Sequence, residues 1–255
     1  MKSKIIAISN QKGGVGKTTT AVNLSAGLAI TDKKVLLIDL DPQGNATSGL
    51  GITGDRFDYS VYHVLIGRKT IKQATISIEQ FAIDLVPSDI SLIGAKIELV
   101  SFDGRETLLK NAISKVNGSY DFIIIDCPPS LGLLTINALV AADSVIIPVQ
   151  CEYYAMEGVA QLLNTIKLVK ATYNPNLNIE GFLLTMYDKR NNLSIQVANE
   201  IREHFSDKVF STYVPRNVRL SESPSFGKPA IYYEKMCSGS QSYLALTKEL
   251  LSEAQ

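Results

Sequence analysis

The sequence predicts an α/β fold: a doubly wound, mostly parallel sheet of about seven strands with helices on both of its faces. Two observations carry this prediction. Short, almost wholly apolar runs recur along the chain, as expected for strands that are buried on both sides. Amphipathic stretches separate them, and a strand–helix–strand series with right-handed crossovers gives a doubly wound sheet. In a chain of 255 residues without a linker-like segment, residues 1–255 are expected to form a single domain.

The individual elements follow from these patterns. Strands are predicted for seven segments, the third of which is closed by a proline: residues 5–8, 35–39, 83–86, 120–126, 144–149, 179–186 and 209–214. Helices are predicted for eight further segments: residues 19–30, 60–66, 90–100, 105–116, 135–142, 153–171, 195–205 and 239–251. In the helix over 90–100, the apolar residues expected to form one inward stripe are Leu92, Ile93, Ile97 and Val100.

A glycine-rich stretch joins the first strand to the first helix. Backbone N–H groups can converge on a polyphosphate only where side chains do not obstruct them, and the N-terminus of the following helix favours an anion. A lysine then supplies positive charge for the β- and γ-phosphates, and a threonine hydroxyl can ligate Mg²⁺. The stretch therefore predicts ATP and Mg²⁺ as ligands. Its expected nucleotide-binding residues are Lys12, Gly13, Gly14, Val15, Gly16, Lys17, Thr18 and Thr19.

The stretch departs from the usual P-loop pattern at one position. The pattern places glycine where this chain has Gln11, and a second lysine, Lys12, comes just before the glycines. A plain tight turn between a strand and a helix is the alternative interpretation. The order Gly16, Lys17, Thr18 at the start of a helix favours phosphate binding over that alternative.

Aspartates end two of the predicted strands. Asp39 and Asp41 leave the second strand, and Asp126 ends the fourth. The carboxyl ends of parallel strands are where α/β folds place their chemistry, and a carboxylate there can hold Mg²⁺ or a water of its shell. Taken alone, Asp39 and Asp41 could simply begin a turn before Pro42. An apolar run that ends in aspartate, like the one before Asp126, is common in α/β proteins. The glycine-rich stretch upstream favours the functional interpretation of all three.

Segment 12–18 resembles the deviant Walker A motif of the ParA/MinD ATPases, and the resemblance covers essentially the whole chain. It implies that Lys12 reaches across an ATP-bound homodimer to the phosphates of the other subunit, whereas Lys17 binds those of its own. It also implies that Asp41 positions the attacking water, so that these three residues are the expected catalytic ones. The residues that it implies around Mg²⁺ are Thr18, Asp39 and Asp126.

Further along the chain, the sequence is similar to the chromosome-segregating ParA subfamily. That similarity implies DNA binding through Arg190 in one polar loop and through Arg216 and Arg219 in a later one. It also implies that Pro215 and Asn217 hold the adenine. The expected partners are a second copy of the chain in the ATP state, DNA bound without sequence preference, and a ParB-like centromere-binding protein that stimulates hydrolysis.

Composition limits the other classes of function. The formal net charge is zero, so DNA affinity has to come from a local patch. Cys127, Cys151 and Cys237 are widely spaced and are expected to be reduced thiols. No apolar run approaches the roughly 18 residues of a membrane span, and the N-terminal one is too short for a signal peptide. The expectation is a cytoplasmic, nucleoid-associated protein that does not bind membranes.

Two other functions stay open at this point. A MinD-like, membrane-cycling ATPase needs a basic amphipathic helix at the C-terminus, but the charged residues in 243–255 are Lys248, Glu249 and Glu253, which are net negative. A small-molecule enzyme of the same superfamily needs a substrate pocket, which the sequence does not identify. Cys127 as a nucleophile or iron–sulfur ligand is disfavoured, because no histidine and no second cysteine lies near it in sequence.

Overall fold

The computed structural model describes residues 2–152 and 155–252, and the strands within them form one sheet. Eight strands are present in this part of the chain: β1 (Lys4–Ile8), β2 (Val35–Asp39), β3 (Ile76–Ile78), β4 (Ile83–Val86), β5 (Phe122–Asp126), β6 (Ser144–Gln150), β7 (Asn178–Tyr187) and β8 (Val209–Pro215). Their order across the sheet is β3-β4-β2-β5-β1-β6-β7-β8. Every neighbouring pair is parallel except β3 with β4.

The predicted fold class is confirmed, with one correction to the strand count. About seven strands were expected, and the described residues contain eight. The additional strand is β3, a three-residue edge strand that pairs antiparallel with β4. A segment this short carries too little periodicity to be recognised from its sequence.

Helices connect the strands and cover both faces of the sheet. In the described part of the chain they are α1 (Lys17–Ile30), α2 (Asn45–Gly49), α3 (Val61–Leu65), α4 (Ile71–Ala74), α5 (Leu92–Glu98), α6 (Leu108–Ser114), α7 (Leu133–Ala141), α8 (Ala155–Thr172), α9 (Asn192–Phe205), α10 (Val218–Glu222), α11 (Ala230–Tyr233) and α12 (Ser238–Ser252). The helix predicted over 153–171 corresponds to α8, and its first two predicted residues lie outside the described residues.

The central strands are buried on both faces, which explains why their sequences do not alternate between apolar and polar residues. In β2, Leu36 and Ile38 point into one apolar core, while Val35 and Leu37 point into the other. All five residues of β2 are buried. Two separate cores, one on each side of the sheet, therefore hold the helices in place.

The inward face of α5 differs from the predicted one. Leu92, as predicted, is fully buried, and the other core residues of this segment are Ala95 and Leu99. Ile93, Ile97 and Val100, which were also predicted to face the core, are exposed instead. The segment is apolar on two sides, and periodicity alone does not tell which side packs against the protein.

The sheet order brings the glycine-rich loop and the aspartates together. β5 lies between β1 and β2, with Asp126 in register with both Ile8 and Asp39. Because all three strands are parallel, their carboxyl ends meet at one edge. The loop after Ile8 and the chain after Asp39 therefore leave the sheet side by side.

The C-terminal helix α12 packs against α1. The Tyr243 and Thr20 hydroxyls are 3.1 Å apart in the buried contact between them, and Leu246 and Leu250 are fully buried. The apolar positions of this helix thus belong to the core. Over residues 2–152 and 155–252, no helix has both the length and the apolar character needed to cross a membrane.

Candidate nucleotide-binding site

The glycine-rich loop between β1 and α1 leaves an open cradle. Gly14 and Gly16 have φ angles of 73° and 88°, in the left-handed region where only glycine is unstrained. A Cβ atom built on Gly13 or Gly14 would have no neighbour within 4 Å, so space for a ligand lies directly over the backbone. The loop is anchored below, where the Thr185 hydroxyl of β7 donates to the carbonyl of Val15 at 2.9 Å. This geometry suits backbone contacts to a polyphosphate.

Lys17, the first residue of α1, carries a buried ammonium group. Its Nζ donates to the carbonyl oxygen of Lys12 across the loop at 3.0 Å. Burial lowers the pKa of Lys17, and the nearby charges of Asp126 and Asp41 oppose that shift. The cation is therefore held at the cradle by a backbone carbonyl with carboxylates nearby, and a phosphate oxygen can replace that carbonyl as its acceptor.

Asp126 has no hydrogen-bond partner among the described residues for either carboxylate oxygen, although it is completely buried. Burial raises the pKa of Asp126 well above its usual value, and the neighbouring Asp39 raises it further. The Thr18 hydroxyl lies close enough to lower this pKa but outside hydrogen-bonding geometry. A buried, unpartnered carboxylate is costly, so it marks a site that a ligand completes.

These residues fit a magnesium ion. Mg²⁺ binds carboxylate and hydroxyl oxygens and keeps several of its waters, and it bridges the protein to nucleotide phosphates. The orphaned oxygens of Asp126, the Thr18 hydroxyl and the end of β2 at Asp39 offer such donors beside the cradle. Across the described ranges, no cluster of three or more His, Cys, Asp or Glu side chains forms a separate metal centre.

Asp39 uses its oxygens to hold the segment that follows it. Its Oδ2 accepts the Thr47 amide at 2.8 Å and the Thr47 hydroxyl at 2.7 Å, while its Oδ1 accepts the Asp41 amide at 3.1 Å. Burial raises the pKa of Asp39 to about 6 in spite of these bonds. Asp39 therefore fixes the start of α2 and the backbone of Asp41, in addition to its position beside Asp126.

Asp41 lies in the turn between β2 and α2 and is almost fully buried. Its Oδ1 accepts the Gln43 amide at 3.0 Å, and Gly44, in the left-handed conformation, leads directly into α2. The carboxylate is close enough to influence the pKa of Lys17. Its place near the cradle suits a group that orients a water molecule towards a phosphate.

The side chain of Lys12 lies in different surroundings from that of Lys17. Its side chain is about one-third exposed, and its Nζ lies 3.4 Å from Oε2 of Glu152. The same carboxylate approaches Arg216, with 3.5 Å between their nearest atoms. The two lysines of the loop therefore face different surroundings: one ammonium is buried at the cradle and the other is directed to the protein surface.

A cavity of about 280 Å³ opens beside the loop and extends to the end of β8. Pro215 and Asn217, the predicted adenine-binding residues, both line it, together with Arg216. The Asn217 side chain also caps α10, since its Oδ1 accepts the Arg219 amide at 2.9 Å and its Nδ2 donates to Ser238 at 2.8 Å. The cavity is of a size and mixed polarity suited to a nucleoside.

The lining of this cavity also contains residues that sequence reasoning did not predict, among them Thr185, Met186 and Tyr243. The first two lie at the end of β7, and Met186 has a φ of 51°, which is unusual for a residue other than glycine. Tyr243 reaches the cavity from α12, more than 200 positions away from the loop. Thr185 and Met186 lie at the end of a predicted strand, and this location is the signal that could have indicated them as cavity residues. No comparable signal points to Tyr243.

The three predicted DNA-binding arginines are exposed, and each makes an ion pair within the chain. Arg190 binds Asp188 at 3.1 Å, Arg219 binds Glu222 at 2.7 Å, and Arg216 approaches Glu152 as described above. Lys189, next to the first of them, lies 5.3 Å from the centroid of the Tyr213 ring. Positive charge is thus present on this surface but is partly neutralised by neighbouring carboxylates.

Cys127, directly after Asp126, is fully buried. Burial and the adjacent carboxylate both raise the pKa of its thiol far above the usual value. A thiol in this state is a poor nucleophile. The residue packs in the core rather than contributing to the chemistry of the site.

Comparison with known proteins identifies the family of the chain. A family model described as an AAA domain matches residues 3–179. The sporulation initiation inhibitor protein Soj of Bacillus subtilis is 58% identical over 247 residues, which cover 97% of this chain and 98% of that protein. The chromosome partitioning protein ParA of Myxococcus xanthus is 55% identical over 248 residues, covering 97% of this chain and 88% of that protein.

Solved structures share the whole fold. A Mycobacterium smegmatis protein named cobyrinic acid a,c-diamide synthase, crystallised with ADP and magnesium, has a TM-score of 0.87 and 38% identity, covering 99% of this chain and 95% of that one. A Borrelia burgdorferi plasmid partition protein bound to AMPPNP has a TM-score of 0.84 and 26% identity, covering 99% and 100%. The chain therefore belongs to the ParA/Soj family and is a P-loop ATPase whose cofactors are ATP and Mg²⁺.

Proposed function

We propose that this ATPase serves DNA segregation as a nucleotide-controlled switch: ATP closes a homodimer, the dimer binds DNA without sequence preference, and hydrolysis releases it. The observation that carries the proposal is the pair of lysines in one phosphate-binding loop. Lys17 is buried at the cradle, whereas Lys12 is directed outwards to Glu152. A second lysine that does not face its own cradle is available to the nucleotide of another subunit.

In this proposal, residues 13–19 and Lys17 bind the triphosphate through backbone amides and one positive charge. Thr18 and Asp126 would hold Mg²⁺, with Asp39 beside them. The ion would supply positive charge that offsets the charge of the phosphates. Asp41, fixed by the Gln43 amide, orients the attacking water. Pro215 and Asn217 hold the base in the cavity at the end of β8.

Replacing Lys12 with alanine tests the dimer. Its surface ion pair with Glu152 contributes little stability, so the monomer should fold normally and bind ATP as the parent does. Loss of a charge that contacts the other subunit's phosphates should raise the dimer dissociation constant roughly tenfold or more. Sedimentation equilibrium with Mg²⁺ and a slowly hydrolysed ATP analogue measures this.

The matched control is alanine in place of Lys72, an exposed lysine outside the nucleotide edge. It should leave the dimer constant unchanged. A Lys12→Ala protein that dimerised as tightly as the parent would show that Lys12 has no role across the subunit boundary.

The DNA surface is proposed to consist of Arg190 and Arg219, with Arg216 at the edge of the nucleotide cavity. The net charge of zero means that only local charge can attract DNA. In the monomer, Asp188 and Glu222 offset two of these arginines. A monomer therefore makes few phosphate contacts, whereas a dimer doubles them, and affinity depends steeply on their number. This supports control of DNA binding by ATP through dimerisation.

DNA binding measured in ATP, in ADP and without nucleotide is the central test. We expect strong binding only with ATP, equally to unrelated sequences. The double variant Arg190→Ala, Arg219→Ala should weaken it for every sequence. It should also reduce the slope of log affinity against log salt by about one unit for each phosphate that is no longer neutralised. Fluorescence anisotropy of a labelled duplex over a salt series gives both quantities.

A variant that is expected to strengthen DNA binding makes this test more specific. Asp188→Asn removes the carboxylate that binds Arg190, so it should strengthen DNA binding while leaving dimerisation unchanged. If the double arginine variant, in a fully dimeric preparation, bound DNA like the parent, the proposed patch would be wrong.

A ParB-like centromere-binding protein is proposed as the partner that stimulates hydrolysis, with the nucleoid as the place of action. The family membership supports this proposal, since the curated relative ParA is named a chromosome partitioning protein. A MinD-like membrane cycle has less support, because the apolar positions of α12 are buried against α1. Sedimentation with lipid vesicles, run beside DNA sedimentation, separates the two.

A further inference from the structure

Residues 90–100, which contain the helix α5, present a second apolar face to solvent. One face, Leu92, Ala95 and Leu99, is fully buried in the core. On the opposite side, four large apolar side chains follow one another at helical spacing, and the two most exposed of them are 68% and 76% accessible. We call this face the α5 ridge; it consists of Ile90, Ile93, Ile97 and Val100.

The ridge is large enough to mark an interface. Four aliphatic side chains about half exposed or more present on the order of a few hundred Å² of apolar surface, the scale at which patches on monomers signal interaction sites. A stable protein interface buries about 800 Å² from each partner. The ridge would therefore supply a substantial share of the area that one partner buries. Exposing this apolar surface to water does not stabilise the monomer.

The ridge begins at the nucleotide edge of the sheet. Just before it, the Ser88 amide donates to the Thr47 hydroxyl at 2.9 Å, and that hydroxyl in turn donates to Asp39. The Asp89 carboxylate then accepts the Ser91 amide at the start of the segment. Hydrogen bonds through Ser88, Thr47 and Asp39 therefore connect the start of the ridge to the segment that carries Asp41. The ridge thus begins at the same edge of the sheet as the loop that carries Lys12.

The shape of the ridge favours a second copy over a peptide. Extended or helical peptides dock into grooves or onto sheet edges, whereas the exposed side of a helix is convex. In a two-fold symmetric dimer, a surface near the axis meets its own copy, and two convex helices pack well as a helix pair. An apolar ridge without charges of its own is self-complementary in this arrangement.

We propose that the α5 ridge packs against the same ridge of a second copy in the ATP-bound dimer. The proposal rests on the homodimer put forward under Proposed function and adds the protein–protein contact that accompanies the nucleotide-mediated one. It assigns the exposed isoleucines of α5 to dimerisation and leaves the binding of ATP by a single subunit independent of them.

Opposite charges placed at Ile97 test the self-contact directly. Ile97→Glu and Ile97→Lys should each raise the dimer dissociation constant roughly tenfold or more, because like charges would then face each other in an apolar contact. An equimolar mixture of the two variants should recover dimers, because unlike charges then face each other. Sedimentation equilibrium with Mg²⁺ and a slowly hydrolysed ATP analogue measures all three samples.

Two controls separate the possible failures. Leu168→Glu places a charge on another exposed apolar residue, on α8, and should not change the dimer constant. ATP affinity should be the same in every variant, since Ile97 is exposed and outside the cradle. If the parent failed to dimerise with ATP, the homodimer put forward under Proposed function would be wrong. If the parent dimerised and Ile97→Glu did so equally, or if mixing did not restore dimers, only the ridge proposal would be overturned.

Discussion

Alanine in place of Lys17 is expected to abolish ATP binding at physiological nucleotide concentrations. The ammonium group is buried at the cradle, where it donates a hydrogen bond to the carbonyl of Lys12. Removing one partner of a desolvated, charge-assisted contact costs several kcal/mol, which corresponds to a loss of affinity of roughly a hundredfold or more. Isothermal titration calorimetry with Mg²⁺ and a slowly hydrolysed ATP analogue measures the change.

The exposed residue Lys72 again provides the matched control, and Lys72→Ala should bind ATP like the parent. Thermal unfolding without nucleotide should show that Lys17→Ala is folded. Retained ATP affinity in a folded Lys17→Ala protein would mean that the glycine-rich loop is not the phosphate-binding element.

Asparagine in place of Asp126 is expected to change stability and activity in opposite directions. The carboxylate is buried without a hydrogen-bond partner in the described part of the chain, and the amide carries no charge to desolvate. Without nucleotide and Mg²⁺, the variant should be more stable than the parent at neutral pH by roughly 1–3 kcal/mol. With them, hydrolysis should fall roughly a hundredfold, because a ligand of the metal is removed.

The pH dependence identifies the cause of the stability change. The folded-state pKa of Asp126 is raised, so the unfolded chain releases this proton near its usual pKa of about 3.9 while the folded protein keeps it to higher pH. The contribution of this group to the free energy of unfolding therefore falls as the pH rises above about 4. The difference between Asp126→Asn and the parent should be small near pH 4 and should grow towards neutral pH.

Urea unfolding with a chelator present, at a series of pH values, provides this comparison. The raised pKa of Asp39, about 6, gives a dependence of the same sign, and because Asp39 and Asp126 influence each other, the difference between the two proteins reports Asp126 together with its effect on Asp39. A parent protein that was more stable than the variant at pH 7 would indicate that Asp126 is satisfied by the fold and is not held ready for a cation.

Much of the site could be predicted because the residues of each motif lie close together in the sequence. The strand, glycine-rich turn and helix around Lys17 follow one another within a short segment, and the positive φ angles of Gly14 and Gly16 agree with the residue type. Asp39 and Asp126 each end an apolar strand, which is also a local pattern. Once parallel strands are assumed, their carboxyl ends must lie at one edge.

Other features depend on contacts between distant parts of the chain. The burial of Leu92 rather than Ile93 follows from which side of α5 meets the core, and both sides are apolar. The approach of Arg216 to Glu152, from a distant part of the chain, limits the free charge of the proposed DNA surface. Tyr243 enters the cavity only because α12 packs on α1.

By itself, the sequence determined the α/β class, the phosphate-binding loop and the strand-terminal aspartates, because each is written in the types and spacing of residues close together in the chain. Tertiary structure alone decided that Asp126 lacks a partner among the described residues, that Asp39 holds Thr47, and that the α5 ridge is exposed. Such facts depend on which atoms come within about 3.5 Å after packing, and local periodicity carries no information about that.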